Sequence, residues 1–188
     1  EFRRVLFRSV LTAALLFAAM FAYISASSFV LQETYGLSAQ QYGAVFAANA
    51  VGLLALGQLN AALVGRVASE EALLGASLVL ACAAGTATLA SILVPAPLPW
   101  LLASLFLLVS SLGPVLANTT SLALAPYPDQ AGTAASLQGV AQYVVSGLVG
   151  SAMSLATHDA RSANLAMGVA VAASAAAALA VHRSEEHT

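Results

Sequence analysis

The stretch WLLASLFLLVSSLGPVLANTTSLALA (residues 100–125) carries no charged residue from end to end. A helix needs about 20 predominantly apolar residues to cross the hydrocarbon core of a bilayer, and this stretch supplies them. It begins after Pro95-Ala96-Pro97-Leu98-Pro99 and stops at Pro126, Pro128 and Asp129. Proline cannot continue a helix beyond its first turn, so both limits are set by breakers. Trp100 suits the membrane–water interface. The internal Gly113-Pro114 pair is expected to kink the helix, because Pro114 cannot donate to the carbonyl of Ser110.

The same reading extends in both directions. Spans are expected at about 10–31, 39–64, 72–94, 100–125, 131–156 and 163–181. The first closes on Gln32-Glu33-Thr34-Tyr35-Gly36, and Ser38 is placed to cap the second. Gly65-Arg66 with Glu70 and Glu71 separates the second from the third, and Thr157 to Ser162 separates the fifth from the sixth. The short connections make successive spans antiparallel. Strands of a membrane barrel would need alternating segments of about ten residues, which this sequence lacks.

Composition agrees. Hydrophobic residues make up 60% and charged residues 7%, with a mean hydropathy of +0.89. A soluble domain carries about 25% charge, so an ordinary soluble enzyme or a disordered chain is excluded. No lysine occurs, which leaves almost no cationic surface for nucleic acid. The single Cys82 excludes a disulfide framework or a cysteine metal site.

The two ends read differently. EFRRVLFRS (1–9) and RSEEHT (183–188) hold four of the six arginines and three of the eight acids. RSEEHT is encoded by AGATCGGAAGAGCACACG, whose reverse complement translates in frame to RVLFRS, the sequence of residues 4–9. That relation resembles a short-read sequencing adapter translated in both directions. The ends are therefore set aside from topology reasoning, and 10–182 is expected to be a piece of a longer gene. Arg66 and Arg161 then remain on opposite sides, so positive charge gives no orientation.

Polar residues inside the spans must find a partner or a watery cavity. Thr12, Tyr23 and Ser27 share one face of the first span. Tyr42, Asn49 and Asn60 share a face of the second, with Gln58 opposite. Ser104, Ser111 and Asn118 recur every seven residues in the fourth, and Gln138 and Gln142 lie one turn apart in the fifth. Gly132, Gly139 and Gly150 form a separate stripe suited to close packing. The third span has only small polar groups such as Ser77, Thr86 and Thr88, and the sixth is almost wholly Ala, Val and Leu past Asn164. This distribution predicts four helices around a polar space with the third and sixth outside it. The competing reading makes each amide interhelical glue, with the Asn118-Thr119-Thr120-Ser121 hydroxyls bonded back to their own helix. No acid or base lies deep in a span, and His158 falls in a loop.

The two halves echo each other weakly. Ser25-Ala26-Ser27-Ser28 and Asn118-Thr119-Thr120-Ser121 occupy the distal halves of spans one and four. Gln41-Tyr42-Gly43 and Gln130-Ala131-Gly132 open the next helices. Three plus three helices with such an echo is the pattern of inverted repeats in transporters.

FAYISASSFVLQETYGLSAQQYG (21–43), FAANAVGLLALGQLNAALVGR (46–66) and AGTAASLQGVAQY (131–143) together resemble the Bcr/CflA-type, bicyclomycin-resistance drug efflux transporters of the major facilitator superfamily. The resemblance falls in the C-terminal half of that fold and covers 10–182. It implies an all-α membrane protein, with six transmembrane helices forming a 3+3 inverted repeat, one half of a twelve-helix fold. It implies bacterial inner-membrane residence and export of drugs or small metabolites by proton antiport. The loops at 65–71 and 126–130 would be cytoplasmic; those at 32–37, 95–99 and 157–162 would be periplasmic. The implied partners are membrane lipid, an N-terminal six-helix half, a small-molecule substrate and protons, with no cofactor, metal or nucleic acid. The half that carries the family's proton-coupling acid lies outside this sequence. Tyr23, Ser27, Asn49, Asn118, Gln138 and Gln142 are the residues expected to line the substrate cavity: Tyr23 to stack on a ring, the amides to hydrogen-bond it.

Other readings fit less well. A metabolite or sugar carrier of the same superfamily differs mainly in charges outside this sequence. A six-helix intramembrane serine protease would want a G-x-S-G context and a histidine within a span. The nearest sequence is Val144-Val145-Ser146-Gly147, and no span holds a histidine. A purely structural subunit would need no polar stripes on four helices.

Overall fold

A computed structural model describes residues 2–94, 96–125, 131–156 and 159–186. The turns expected at 126–130 and around His158 lie outside these residues. Six helices account for nearly everything described: α1 Phe2–Ser28, α2 Ala39–Leu63, α3 Glu70–Leu93, α4 Leu98–Leu124, α5 Ala131–Ala156 and α6 Ala160–Glu186. α2 and α5 match the apolar spans to within a residue, whereas the other four are longer, because hydropathy finds the membrane core of a helix and misses its polar first and last turns. Thus α3 starts at Glu70, α4 at Leu98, and α1 and α6 run on into both terminal segments.

Local chemistry sets the ends. Ser38 caps α2 in a reciprocal box: its Oγ accepts from the Gln41 backbone N–H at 3.2 Å, and Gln41 Oε1 accepts from the Ser38 backbone N–H at 2.9 Å. Ser69 caps α3 by accepting from the Ala72 N–H, and Glu70 and Glu71 complement the helix dipole there. Gly36 and Gly65 follow helix ends with φ of 70° and 71°, a region where a Cβ is strained. α4 runs unbroken through Pro114. The sequence gives no sign of the π-helical segment Phe29–Thr34 that continues α1.

Among the described residues, five helical segments are long and apolar enough to cross a membrane: Ser9–Thr34, Ala39–Leu63, Glu70–Leu93, Leu98–Leu124 and Arg161–Ser184. α5, at 26 residues, is equally long.

α1 and α4 are the hub. α1 packs on α5 and α6, α4 packs on α2 and α3, the two hub helices touch, and α3 lies along α6. Exchanging α1–α2–α3 for α4–α5–α6 maps these contacts onto themselves. The apolar core fills the space between α1, α3, α4 and α6, with Leu16, Leu78, Leu105, Leu112, Met167 and Val171 among its fully buried side chains. α3 and α6 contribute to this apolar core. They complete the core, while α2 is the most open, burying only Asn49, Gly52 and Asn60. Small residues are the cause: a Cβ on Gly85 of α3 would lie 3.3 Å from Ala172 Cα on α6, so the two backbones nearly touch.

The glycine stripe on α5 is corrected. Among the described residues, nothing lies within 4 Å of a Cβ built on Gly132 or Gly139, and Ser25 Oγ alone approaches Gly150, at 3.4 Å. The tight crossing is between α2 and α4. A Cβ on Gly113 would collide with the Leu53 carbonyl and sit 3.0 Å from the Gly57 nitrogen.

Candidate functional site

The polar stripes meet in pairs at three helix seams. At the seam of α1 and α2, Asn49 Nδ2 donates to Tyr23 Oη at 2.9 Å. The Tyr23 ring is fully buried and stacks on Phe46 with centroids 6.3 Å apart and planes inclined by 16°. About one turn along, Ser27 Oγ and Tyr42 Oη share a hydrogen bond of 3.1 Å. Tyr42 and Phe46 also touch, at 6.1 Å. Tyr42, Phe46 and Asn49 occur at helical spacing on α2, which brings all three against the Tyr23–Ser27 turn of α1.

At the seam of α2 and α4, Asn60 and Asn118 form a reciprocal amide pair. Each Nδ2 donates to the other's Oδ1 at 2.9 Å, and both residues are buried. The pair lies beside the Gly57–Gly113 crossing, where missing side chains bring the backbones close enough for two short amides to meet.

At the seam of α4 and α5, Gln138 Nε2 donates to Thr120 Oγ1 at 2.9 Å. Gln138 is buried and its Oε1 takes no hydrogen bond. Gln142 is half-buried one turn further on. The other hydroxyls of the Asn118 cluster divide: Thr119 bonds back to the Val115 carbonyl at 2.7 Å, and Ser121 donates to Glu70 Oε1 of α3 at 3.0 Å.

Of the six expected residues, Tyr23 and Asn49 are brought together. Ser27 is joined to Tyr42, Asn118 to Asn60, and Gln138 to Thr120. They occupy three seams rather than converging on one point. Sequence reading left Asn60, Tyr42, Phe46 and Thr120 out of the site. Asn60 and Tyr42 were visible on the same α2 face as Asn49, but which helix they would meet depends on the fold. Chemically the seams offer neutral donors, acceptors and rings. Among the described residues, no group of three or more His, Cys, Asp or Glu converges as a metal site would require.

No family model matches the chain, and no solved structure matches it. Over 139 residues it is 29% identical to an uncharacterised MFS-type transporter, YdgK, of Bacillus subtilis (strain 168). The matched region covers 74% of this chain and 34% of the relative, so the chain spans about a third of that protein's length.

Proposed function

We propose that the chain is the C-terminal six-helix bundle of a twelve-helix major facilitator transporter of Bcr/CflA type, resident in the bacterial inner membrane. In this reading it exports drugs or small metabolites in exchange for protons, by alternating access. The observation that carries the reading is the similarity over 139 residues to an MFS-type transporter about three times as long as the match. Two features of the fold support it. The contacts map onto themselves when the first three helices are exchanged for the last three, as a 3+3 repeat requires. The neutral side chains of Tyr23, Ser27, Asn49, Asn118 and Gln138 lie between helices α1, α2, α4 and α5, the four helices expected to share a polar space.

α5 then serves as the sixth span, its glutamines turned to protein rather than lipid. Tyr23, Ser27, Asn49, Asn118, Gln138 and Gln142 form this half's share of the substrate wall. Their mutual bonds are the resting state of groups that a neutral amphiphile takes over in turn. An exchange of one amide partner for another costs little, which suits a site of broad specificity. The terminal segments 1–9 and 183–188 are adapter translation in this reading, and the proton-coupling acid belongs to the other half.

The test is reconstitution in liposomes under an imposed pH gradient. The protein restored from its genomic locus is expected to move a substrate saturably with the gradient. Residues 10–182 alone are expected not to, because alternating access needs a second bundle to rock against. Gradient-driven transport by the six-helix segment alone would overturn the half-transporter reading. A genomic frame that encodes the same terminal peptides would overturn the adapter assignment.

A further inference from the structure

A partly open cavity of about 510 Å³ lies at the end of the bundle where α1 stops, away from the three polar seams. Its polar wall consists of Thr34, Tyr35, Ser91 and Asn164; Ile92 and Pro97 contribute apolar surface. The wall joins the π-helical end of α1, the last turns of α3, the connection into α4 and the first turns of α6. We propose that this cavity binds a neutral polyhydroxylated ring, a sugar or polyol, either free or as the headgroup of a glycolipid.

Three observations lead there. The first is backbone geometry. The wider π winding over Phe29–Thr34 ends with the Tyr35 N–H on the Val30 carbonyl at 3.3 Å and the Leu37 N–H on the Leu31 carbonyl at 3.0 Å. It resets the helical register just before Thr34 and Tyr35, and so decides which side chains reach the cavity. Such segments concentrate at functional sites. The second is an unsatisfied group. Asn164 Nδ2 reaches Thr34 Oγ1 only at 3.4 Å, and Asn164 Oδ1 is buried with no hydrogen bond. A small rotation of that amide offers a ligand hydroxyl both a donor and an acceptor. Ser91 gives its proton to the Thr88 carbonyl at 2.8 Å, which leaves its oxygen as an acceptor.

The third is charge. Among the described residues, no carboxylate, ammonium or guanidinium lines the cavity, so an ion would lose its hydration without a counter-charge. The volume lies within the usual range for small-molecule sites. Hydroxyls, an amide and an aromatic ring beside a few apolar side chains match a sugar ring, which has both hydroxyl edges and apolar faces. The proposal stands apart from transport and does not depend on it.

Trp100 provides the reporter. It is the sole tryptophan of the chain, and its backbone N–H donates to the carbonyl of the cavity residue Pro97 at 3.0 Å. The protein in phosphatidylcholine nanodiscs would be titrated with methyl β-D-glucopyranoside while Trp100 emission is followed. A second set of discs would contain monoglucosyldiacylglycerol. A saturable change in either arm is expected, and the arm in which it appears distinguishes the free sugar from the lipid headgroup. Asn164→Ala and Ser91→Ala should each raise the half-saturating concentration about ten-fold, the loss of one good hydrogen bond. Leu155→Ala, on the exposed side of α5, should leave it unchanged. Helicity measured alongside identifies any variant that fails to fold, so the other variant carries the test. A change that does not saturate in either arm overturns the proposal. So does an unaltered half-saturating concentration in a folded Asn164→Ala or Ser91→Ala variant, or equal binding of the anionic methyl glucuronide.

Discussion

The seam between α3 and α6 and the seam between α2 and α4 solve one problem in two ways. Lipid tails are as apolar as leucine, so no hydrophobic force presses helices together in a bilayer. α3 and α6 meet through Gly85, Ala172, Gly168 and Leu89, with backbones close enough for dispersion to hold them. α2 and α4 approach as closely at Gly57 and Gly113, then add the buried Asn60–Asn118 pair. Shape alone lets helices slide along one another, whereas the amide pair fixes one register. The polar side of the bundle is therefore the side whose geometry is specified, and α2, the least buried helix, is the one that needs it.

The largest effect should come from filling the α2–α4 crossing. A Cβ on Gly113 meets the Leu53 carbonyl and the Gly57 backbone, neither of which can turn aside as a side chain would. Gly113→Val should cost about 3 kcal/mol or more and greatly reduce the yield of monodisperse protein. Gly132→Ala, where nothing lies within 4 Å, should leave the yield unchanged. Equal yields from Gly113→Val and Gly132→Ala would show that the crossing does not hold the bundle.

The shape-held side should respond to cavities instead. Leu78 on α3 is fully buried in the apolar core. Leu78→Ala should lower stability by about 2–3 kcal/mol, read as a lower melting temperature in detergent. An unshifted melting temperature would place the stabilising packing elsewhere.

The helices were legible in the sequence where a breaker or a cap bounds them, as Ser38 does for α2 and the prolines do around α4; Ser69, which caps α3, was not read, and that span was started two residues late. The faces that bury Tyr23, Ser27, Asn49 and Asn118 were legible too, since helical periodicity places them together. Neighbours were not. Hydropathy measures transfer from water to lipid and says nothing about which helix lies alongside. Asn60 and Asn118, 58 residues apart, became a pair only through the fold. The plainness of α3 and α6 suggested a peripheral place, yet their small side chains are what admits them to the core. The glycines of α5 show the converse: a stripe of small residues permits close approach and does not compel it.

The amide pair should show a smaller effect with a distinctive sign pattern. Asn118→Leu alone leaves Asn60 buried without a partner, at a cost of about 1–3 kcal/mol. Replacing both residues with leucine should recover much of that, because no polar group is then stranded. A double-mutant cycle should give a coupling of about 1 kcal/mol, inside the range found between membrane helices. Strictly additive losses would mean that the two amides act independently and do not set the register of α2 on α4.

The smallest structural effect separates the two roles that polar side chains can have here. Tyr23 is enclosed, its hydroxyl held by Asn49, so Tyr23→Phe removes an acceptor that the fold uses, worth about 0.6 kcal/mol. Gln142 is half-buried on α5, one turn from Gln138 at the α4–α5 seam. Gln142→Ala should therefore alter stability by no more than about 0.5 kcal/mol, the usual range for a side chain away from the packed core. If Gln142 meets substrate, the same variant in the restored full-length protein should change the ratio of transport rates between two substrates at constant protein level. Tyr23→Phe, which strands Asn49, should lower protein level and all transport rates together unless the tyrosine hydroxyl also contacts substrate. Comparing rate ratios with protein levels decides each residue separately. A residue whose loss changes only protein level joins helices, and one whose loss changes only the ratio lines the substrate path. Unchanged ratios in both variants would remove Tyr23 and Gln142 from the substrate wall and leave the polar seams as the means by which the helices find their register.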